Sequence, residues 1–349
     1  MAEKIKCGII GCGVISPAHA ESYQMQENVE LVWACDIVEE KARSLAEKFG
    51  IPKVCGDYRR VLEDSELSCV SVCTDHASHA PISVAALEAG KHVICEKALA
   101  ASTEGLENMM DAHERHPELV FAGVFQHRFD RSHQHLRKLI EEGVFGTLLY
   151  ADLRVLCLRT KEYYRADKWR GTWDEEGGSV LINQAIHFID IMQWVMGGVE
   201  SVSAHYENRA RRDCIETEDT ATASLRFRSG ALGSISATSA SNIPWEANLC
   251  FCGEAGTLEI CCGKIIRLDF KDKSLEERIR KDFAALQEAP ALASAKQYYG
   301  SSHPAQIADF IDAVRSGRAP FVTAKDARAA VDLVLAIYRS QNSGRCIEL

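Results

Sequence analysis

The chain has no cluster of basic residues, no long apolar run and no cysteine pair spaced for metal, and each absence removes a class of protein. Its formal net charge is −10, and the run Arg211-Arg212-Asp213-Cys214 is too short to meet a phosphate backbone. Nucleic acid is therefore excluded as a partner. No window holds the 18 or more uncharged apolar residues of a membrane span, and no membrane partner is expected. Met1–Ile10 passes from charges straight into a glycine-rich turn, without the apolar run and cleavage site of a signal peptide, so a cytoplasmic protein is expected. Fourteen cysteines are present, yet none forms a CxxC pair or stands at zinc-finger spacing. Neither a bound metal nor a disulfide is expected, and the thiols read as small buried hydrophobes of a reducing compartment.

What is present is the composition of a globular enzyme. At 349 residues the chain is longer than one core usually supports, so two domains are expected.

The stretch Gly177–Gly198, GGSVLINQAIHFIDIMQWVMGG, reads as a buried helix, because apolar residues occupy most of its circumference. Three polar residues survive in it. Asn183, His187 and Asp190 stand at i, i+4 and i+7 and so form one stripe. A buried polar group without a partner costs roughly 1–3 kcal/mol, so the stripe either satisfies itself or faces a wet cavity.

The amino-terminal part alternates as a doubly wound sheet does. The apolar run Ile5–Ile10 ends in GCGVIS, where Gly11 permits a tight turn, Gly13 allows close approach of a pyrophosphate, and Ser16 takes the third small position. Val14 and Ile15 complete this cofactor turn. A second strand, Val29 to Cys35, ends in Asp36, placed to bind the adenosine ribose. Ile37 and Val38 offer no cation for a 2′-phosphate, so NAD is expected rather than NADP. The strand Cys69–Cys73 leads into Thr74 and His79, expected to line the cofactor crevice ahead of a helix Pro81–Ala89. The strand His92–Cys95 runs into Glu96-Lys97, both expected to contact the cofactor, which puts a lysine beside the nicotinamide where it can move a proton or polarise a hydroxyl. A surface ion pair of Lys97 with Glu96 is the simpler alternative. The helix Thr103–Arg115 and the strand Val120–Val124 close this α/β domain at residues 1–125.

Taken together, GIIGCG, Asp36, Glu96-Lys97, Gln126-His127-Arg128-Phe129, GGSVLINQAIHFID, and the runs His303–Phe310 and Gly317–Ala327 resemble the glucose-fructose oxidoreductase, inositol dehydrogenase and rhizopine-catabolism (Gfo/Idh/MocA) family over essentially the whole chain. The resemblance implies a Rossmann domain followed by an α/β domain with a large open-faced, mainly antiparallel sheet that makes dimer or tetramer contacts. It also implies NAD(P)-linked oxidation or reduction of a ring carbon of a sugar, inositol or sugar nucleotide. By position Lys97 matches the active-site lysine, His187 matches the histidine of the second motif, and Asn183 falls where inositol dehydrogenases have Asp. Ala98 stands where the family has proline, whose preceding bond is typically cis. The Asn-Gln-x-Ile-His wording, with Lys168–Trp173 upstream, looks most like the branch containing sugar-nucleotide 3-dehydrogenases.

In residues 126–349, strand-like runs recur at Thr147–Arg159, Val199–Asn208, Thr220–Phe227, Ala231–Ser239, Asn248–Cys252 and Thr257–Ile260, as a meander with one helix-covered face. Phe270–Tyr299 reads as a charged helix without chemistry, and the last helices are able to pack back on the first domain. Leu158–Trp173 suits a substrate loop, since sugar faces stack on aromatics while cations pair with acidic groups. Arg128, Tyr163, Lys168 and Arg170 join Lys97, Asn183 and His187 as candidate substrate contacts.

The expected reaction is oxidation of a ring hydroxyl to a ketone, with hydride passing to NAD and the proton to His187 or Lys97. Two other readings fit these residues: a redox-neutral enzyme that recycles bound NAD through a keto-sugar, and a non-catalytic NAD-dependent sugar sensor.

Overall fold

A computed structural model describes residues 4–286, 292 and 300–349. The chain divides into two compact units, Met1–Gln126 with Ala289–Arg328, and His127–Glu288 with Ala329–Leu349.

The first unit is built on six parallel strands, β1 (Ile5–Ile10), β2 (Val29–Cys35), β3 (Lys53–Cys55), β4 (Cys69–Val72), β5 (His92–Cys95) and β6 (Phe121–Gly123). Their spatial order is β3-β2-β1-β4-β5-β6. Strands β4 and β6 are buried throughout and β5 nearly so, which accounts for their unbroken apolar reading. The order reverses between β1 and β4, and in such sheets ligands bind beyond the carboxyl ends of the strands at that point.

One helix starts earlier than its apolar pattern indicates. It runs His76–Glu88 with Pro81 inside it, because Asp75 caps it by accepting from the Ser78 N–H at 2.9 Å and the Ser78 hydroxyl at 2.8 Å.

The second unit holds eight strands: β7 (Leu148–Leu158), β8 (Val199–Glu207), β9 (Thr220–Phe227), β10 (Leu232–Thr238), β11 (Ala240–Gly253), β12 (Gly256–Cys261), β13 (Lys264–Phe270) and β14 (Ile347–Glu348). Their order is β13-β12-β11-β7-β10-β9-β8-β14. The sheet is not the simple meander expected. Strand β7 lies between β10 and β11, which follow one another in sequence, and it pairs parallel to β10 and antiparallel to β11. The chain rounds the carboxyl end of β7 with the Arg159 N–H on the Ser239 carbonyl at 2.8 Å, and Ser241–Pro244 bulge out where the register shifts between Ala240 and Trp245.

Alternate residues of β7, β9 and β10 are buried, so one face of this sheet is covered. The helix Ile186–Met196 packs on that face against β7 and β11. The end of strand β13 and the helix Lys273–Ala285 occupy part of the stretch Phe270–Tyr299 that reads as one long helix; residues 287–291 and 293–299 of it lie outside the described residues. All fourteen cysteines are free thiols.

Candidate active site

In the first unit, the turn after β1 is shaped by glycine. Gly11 has φ +92°, and a Cβ there would lie 2.5 Å from the Cys73 carbonyl oxygen, so no side chain fits. A Cβ on Gly13 would meet nothing within 4 Å, so the backbone there borders open space, as close approach of a pyrophosphate requires. The Ser16 hydroxyl donates to the Gly13 carbonyl at 2.8 Å and opens the helix Ser16–Gln24.

Asp36 holds this turn in place. Its Oδ2 accepts from the Cys12 N–H and its Oδ1 from the Val38 N–H, each at 2.8 Å. Each carboxylate oxygen has a second acceptor site for a ribose hydroxyl. Ile37, 92% exposed, and the exposed Val38 present no cation to a 2′-phosphate. The residues of the turn thus fit NAD.

Two expected cofactor contacts have other duties. His79 is fully buried, with Nδ1 2.7 Å from the Ala98 carbonyl and Nε2 3.1 Å from the Thr74 carbonyl; burial pushes its pKa down. It ties the backbone after β4 to that after β5. Glu96 is also buried. Its Oε1 lies 2.9 Å from His19 Nε2, and its Oε2 accepts from the Lys97 N–H at 3.1 Å. Burial alone would raise Glu96, but the hydrogen bonds from His19 and His303 outweigh it and hold the carboxyl well below its usual range. Glu96 thus anchors the Lys97 backbone. The Lys97–Ala98 peptide bond is cis.

In the second unit, the helix bearing Asn183 and His187 opens with a π-helical turn, Val180–Ala185, before its α-helical body. Turns of this kind are frequent at functional sites. Two buried glutamates hold this opening. Glu218 accepts from the Ser179 N–H at 3.1 Å, the Leu181 N–H at 3.0 Å and the Tyr338 hydroxyl at 2.9 Å. Glu176 accepts from the Gly171 N–H at 2.5 Å and from Asn183 Nδ2. Burial pushes each carboxyl up to about 7.

The stripe read on this helix is divided among different tasks. Asp190 takes both Nε and Nη2 of Arg128, at 2.8 and 2.6 Å, within the buried interior. Arg128, 5% exposed, is therefore committed to an internal ion pair, which does not support its expected contact with substrate. Asn183 and His187 are half-buried. The His187 ring meets that of His127 edge to face with centroids 5.2 Å apart, and His127 Nδ1 lies 2.6 Å from Asp130 Oδ2. Hydrogen bonds at that distance, and at 2.9 Å between His19 and Glu96, are shorter than the spacing of about 3.3 Å between ligands of one tetrahedral ion.

The aromatic loop folds into a stack. The Arg170 guanidinium lies 4.1 Å from the Tyr163 ring centroid, and that of Arg159 lies 5.3 Å from the same ring. Gln184 joins them, accepting from Arg159 Nε at 2.9 Å and donating to the Tyr163 hydroxyl at 3.1 Å. Lys168 is exposed. The sequence reading missed His19, Arg159, Glu176, Gln184 and Glu218. The acid directly before Gly177-Gly178 was the one local signal available.

Known proteins give this arrangement its place. Residues 5–124 match the oxidoreductase-family NAD-binding Rossmann fold and residues 137–349 the oxidoreductase-family C-terminal alpha/beta domain of the Gfo/Idh/MocA proteins. The chain belongs to this family. Its cofactor is NAD and it is an oxidoreductase. It is 27% identical to the myo-inositol 2-dehydrogenase of Thermotoga maritima, over 99% of this chain and 98% of that one. It is 31% identical to the D-glucoside 3-dehydrogenase of Escherichia coli over 72% of this chain and 75% of that protein. Among solved structures, the WlbA dehydrogenase of Bordetella pertussis in complex with NADH and UDP-GlcNAcA superposes with a TM-score of 0.89 at 29% identity, covering 100% of this chain and 99% of that one.

Proposed function

We propose that the protein oxidises a ring hydroxyl of a sugar, inositol or sugar nucleotide to a ketone, with a nucleotide-linked sugar as the leading candidate. The observation that carries this reading is the match of both family domains along the chain; Lys97 and His187 are the active-site residues that the resemblance implies. The likeness to the NADH- and UDP-GlcNAcA-bound dehydrogenase supports the nucleotide-linked substrate. So does the Arg159 guanidinium beside Tyr163, which suits an acidic substituent, whereas that of Arg170 holds Asp167 at 2.8 Å.

Gly11, Gly13, Val14, Ile15, Asp36 and Thr74 would hold NAD, which supplies the hydride acceptor. His187 takes the hydroxyl proton as general base, and Lys97 holds the same oxygen and assists the transfer. Asn183 hydrogen-bonds a substrate hydroxyl, while Tyr163, Arg170 and Lys168 contact the rest of the substrate.

The homo-oligomer uses the uncovered sheet face, where Tyr150, Leu158 and Leu232 are exposed. Among the described residues no helix is long and apolar enough to cross a membrane. The abundance of free thiols supports a reducing, cytoplasmic location.

Purified protein is incubated with NAD and, separately, UDP-GlcNAcA, myo-inositol, methyl glucoside and levoglucosan, and both NADH absorbance and substrate mass are followed. NADH formed with UDP-GlcNAcA supports the nucleotide-linked reading, and NADH formed with another probe corrects the substrate. Substrate consumed without NADH replaces net oxidation by the redox-neutral route.

A further inference from the structure

Glu176 immediately precedes Gly177-Gly178 and is 1% exposed. A carboxylate accepts hydrogen bonds and does not donate them. Its contact with Asn183 Nδ2 therefore decides which end of that amide is which. The NH₂ group faces Glu176, and Oδ1, on the other side of Cγ, is turned away as an acceptor. His187 follows four residues later on the same helix.

The orientation matters because a hydroxyl about to be oxidised carries a proton that needs an acceptor. An amide presenting NH₂ at that point would meet the O–H with a second donor. Asn183 carries no charge of its own; the negative charge beside it is that of Glu176.

We propose that Glu176 is a positioning residue of this dehydrogenase: by accepting from Asn183 Nδ2 it holds Asn183 Oδ1 as the acceptor for a substrate hydroxyl beside His187. The proposal rests on the reading that Asn183 and His187 face substrate.

The environment of Glu176 makes this orientation depend on pH. Burial is the largest influence and carries its pKa up to about 7. The Gly171 and Asn183 hydrogen bonds and the charge of Arg170 pull it down, while Glu218 pushes it further up. Tyr163, Tyr164 and Tyr338 also feel its charge. Once protonated, Glu176 becomes a donor, and the Asn183 amide satisfies it by turning its oxygen inward. The substrate then meets NH₂ in place of oxygen, so activity falls on the acid side through an ionisation belonging to neither His187 nor Lys97.

The test is the pH dependence of kcat and KM with NAD and the four probes named above, from about pH 5.5 to 9. Glu176→Gln should lower kcat/KM about tenfold to a hundredfold above neutrality, the loss of one hydrogen bond to a charged group, and remove the Glu176 ionisation from the acid side, leaving only the limb that the general base itself imposes. Glu176→Leu should behave alike, and Glu176→Asp, which keeps the carboxylate, should restore the ionisation. In an Asn183→Ala background Glu176→Gln should change kcat/KM less than about twofold, because its effect runs through that amide.

The proposal is overturned if Glu176→Gln and Glu176→Leu both keep the wild-type pH profile, or if each lowers kcat/KM by the same factor with and without Asn183→Ala. If Asn183→Ala is fully active, or none of the four probes is turned over, the reading beneath the proposal fails first and takes it along.

Discussion

His19 Nε2 sits 2.9 Å from Glu96 Oε1, and the other oxygen of that carboxylate holds the Lys97 N–H. The position of Lys97 therefore depends on a histidine 78 residues earlier in the chain. Removing one member of a buried ion pair leaves the other uncompensated, at a cost of about 3–5 kcal/mol. Glu96→Ala should lose that much in guanidinium unfolding and should also lower kcat, whereas Glu96→Gln should lose less of both. Wild-type stability in Glu96→Ala would refute the anchoring role.

His187→Ala and Lys97→Ala should each lower kcat by about a hundredfold to ten-thousandfold, the usual contribution of positioned acid–base groups. NAD affinity, measured by quenching of protein fluorescence, should change less than about threefold in either variant. An equal loss of NAD affinity would sink their assignment to proton transfer.

Asp36 supports the cofactor turn through the Cys12 N–H, and the proposed function gives its carboxylate to the ribose. Asp36→Ala should therefore weaken NAD about tenfold to a hundredfold by titration. NADP should remain a poor ligand, since Ile37 and Val38 bring no positive charge. A variant that binds NAD as the wild type does would show that the ribose is held elsewhere.

Glu176 and Glu218 are both pushed by burial up to about 7, from an ordinary value of 4.5. A carboxyl that titrates higher in the folded chain takes up a proton on folding. Its stabilising contribution is thus complete below about pH 4.5 and is lost as pH rises through about 7. Urea unfolding should accordingly show wild-type stability rising as pH is lowered from about 8 to 6, by about 1.4 kcal/mol per group. The Glu176→Gln, Glu218→Gln double variant should show a flatter dependence. The same slope in both proteins would place the titration in other groups.

The parallel sheet was legible because short apolar runs such as Cys69–Val72 and His92–Cys95 are buried and bounded by turn residues. Strand β3 escaped notice because it has only three residues, and the start of β11 because Pro244 reads as a break although it lies in a bulge. The meander failed for a different reason: alternation reports which face a residue occupies, not which strand becomes its neighbour. In the site, the periodicity that brought out Asn183, His187 and Asp190 carried no information about their partners. Asn183 meets Glu176, seven residues away, across two glycines, and Asp190 meets Arg128, 62 residues away. Spacing along one helix cannot disclose either pairing.

Strand β7, which ends at Leu158, has β10 and β11 as its neighbours, and the first of these begins at Leu232. At a ribosomal pace of about 5–20 residues per second, roughly 4 to 15 seconds of synthesis separate the end of β7 from the start of its first partner. Through that interval both edges of an eleven-residue strand have no place to pair within the sheet. Such an edge is a template for the same strand of a neighbouring chain. The nascent protein therefore needs dilution or a chaperone over this span, and slower synthesis, which lengthens the wait, should lower its soluble yield.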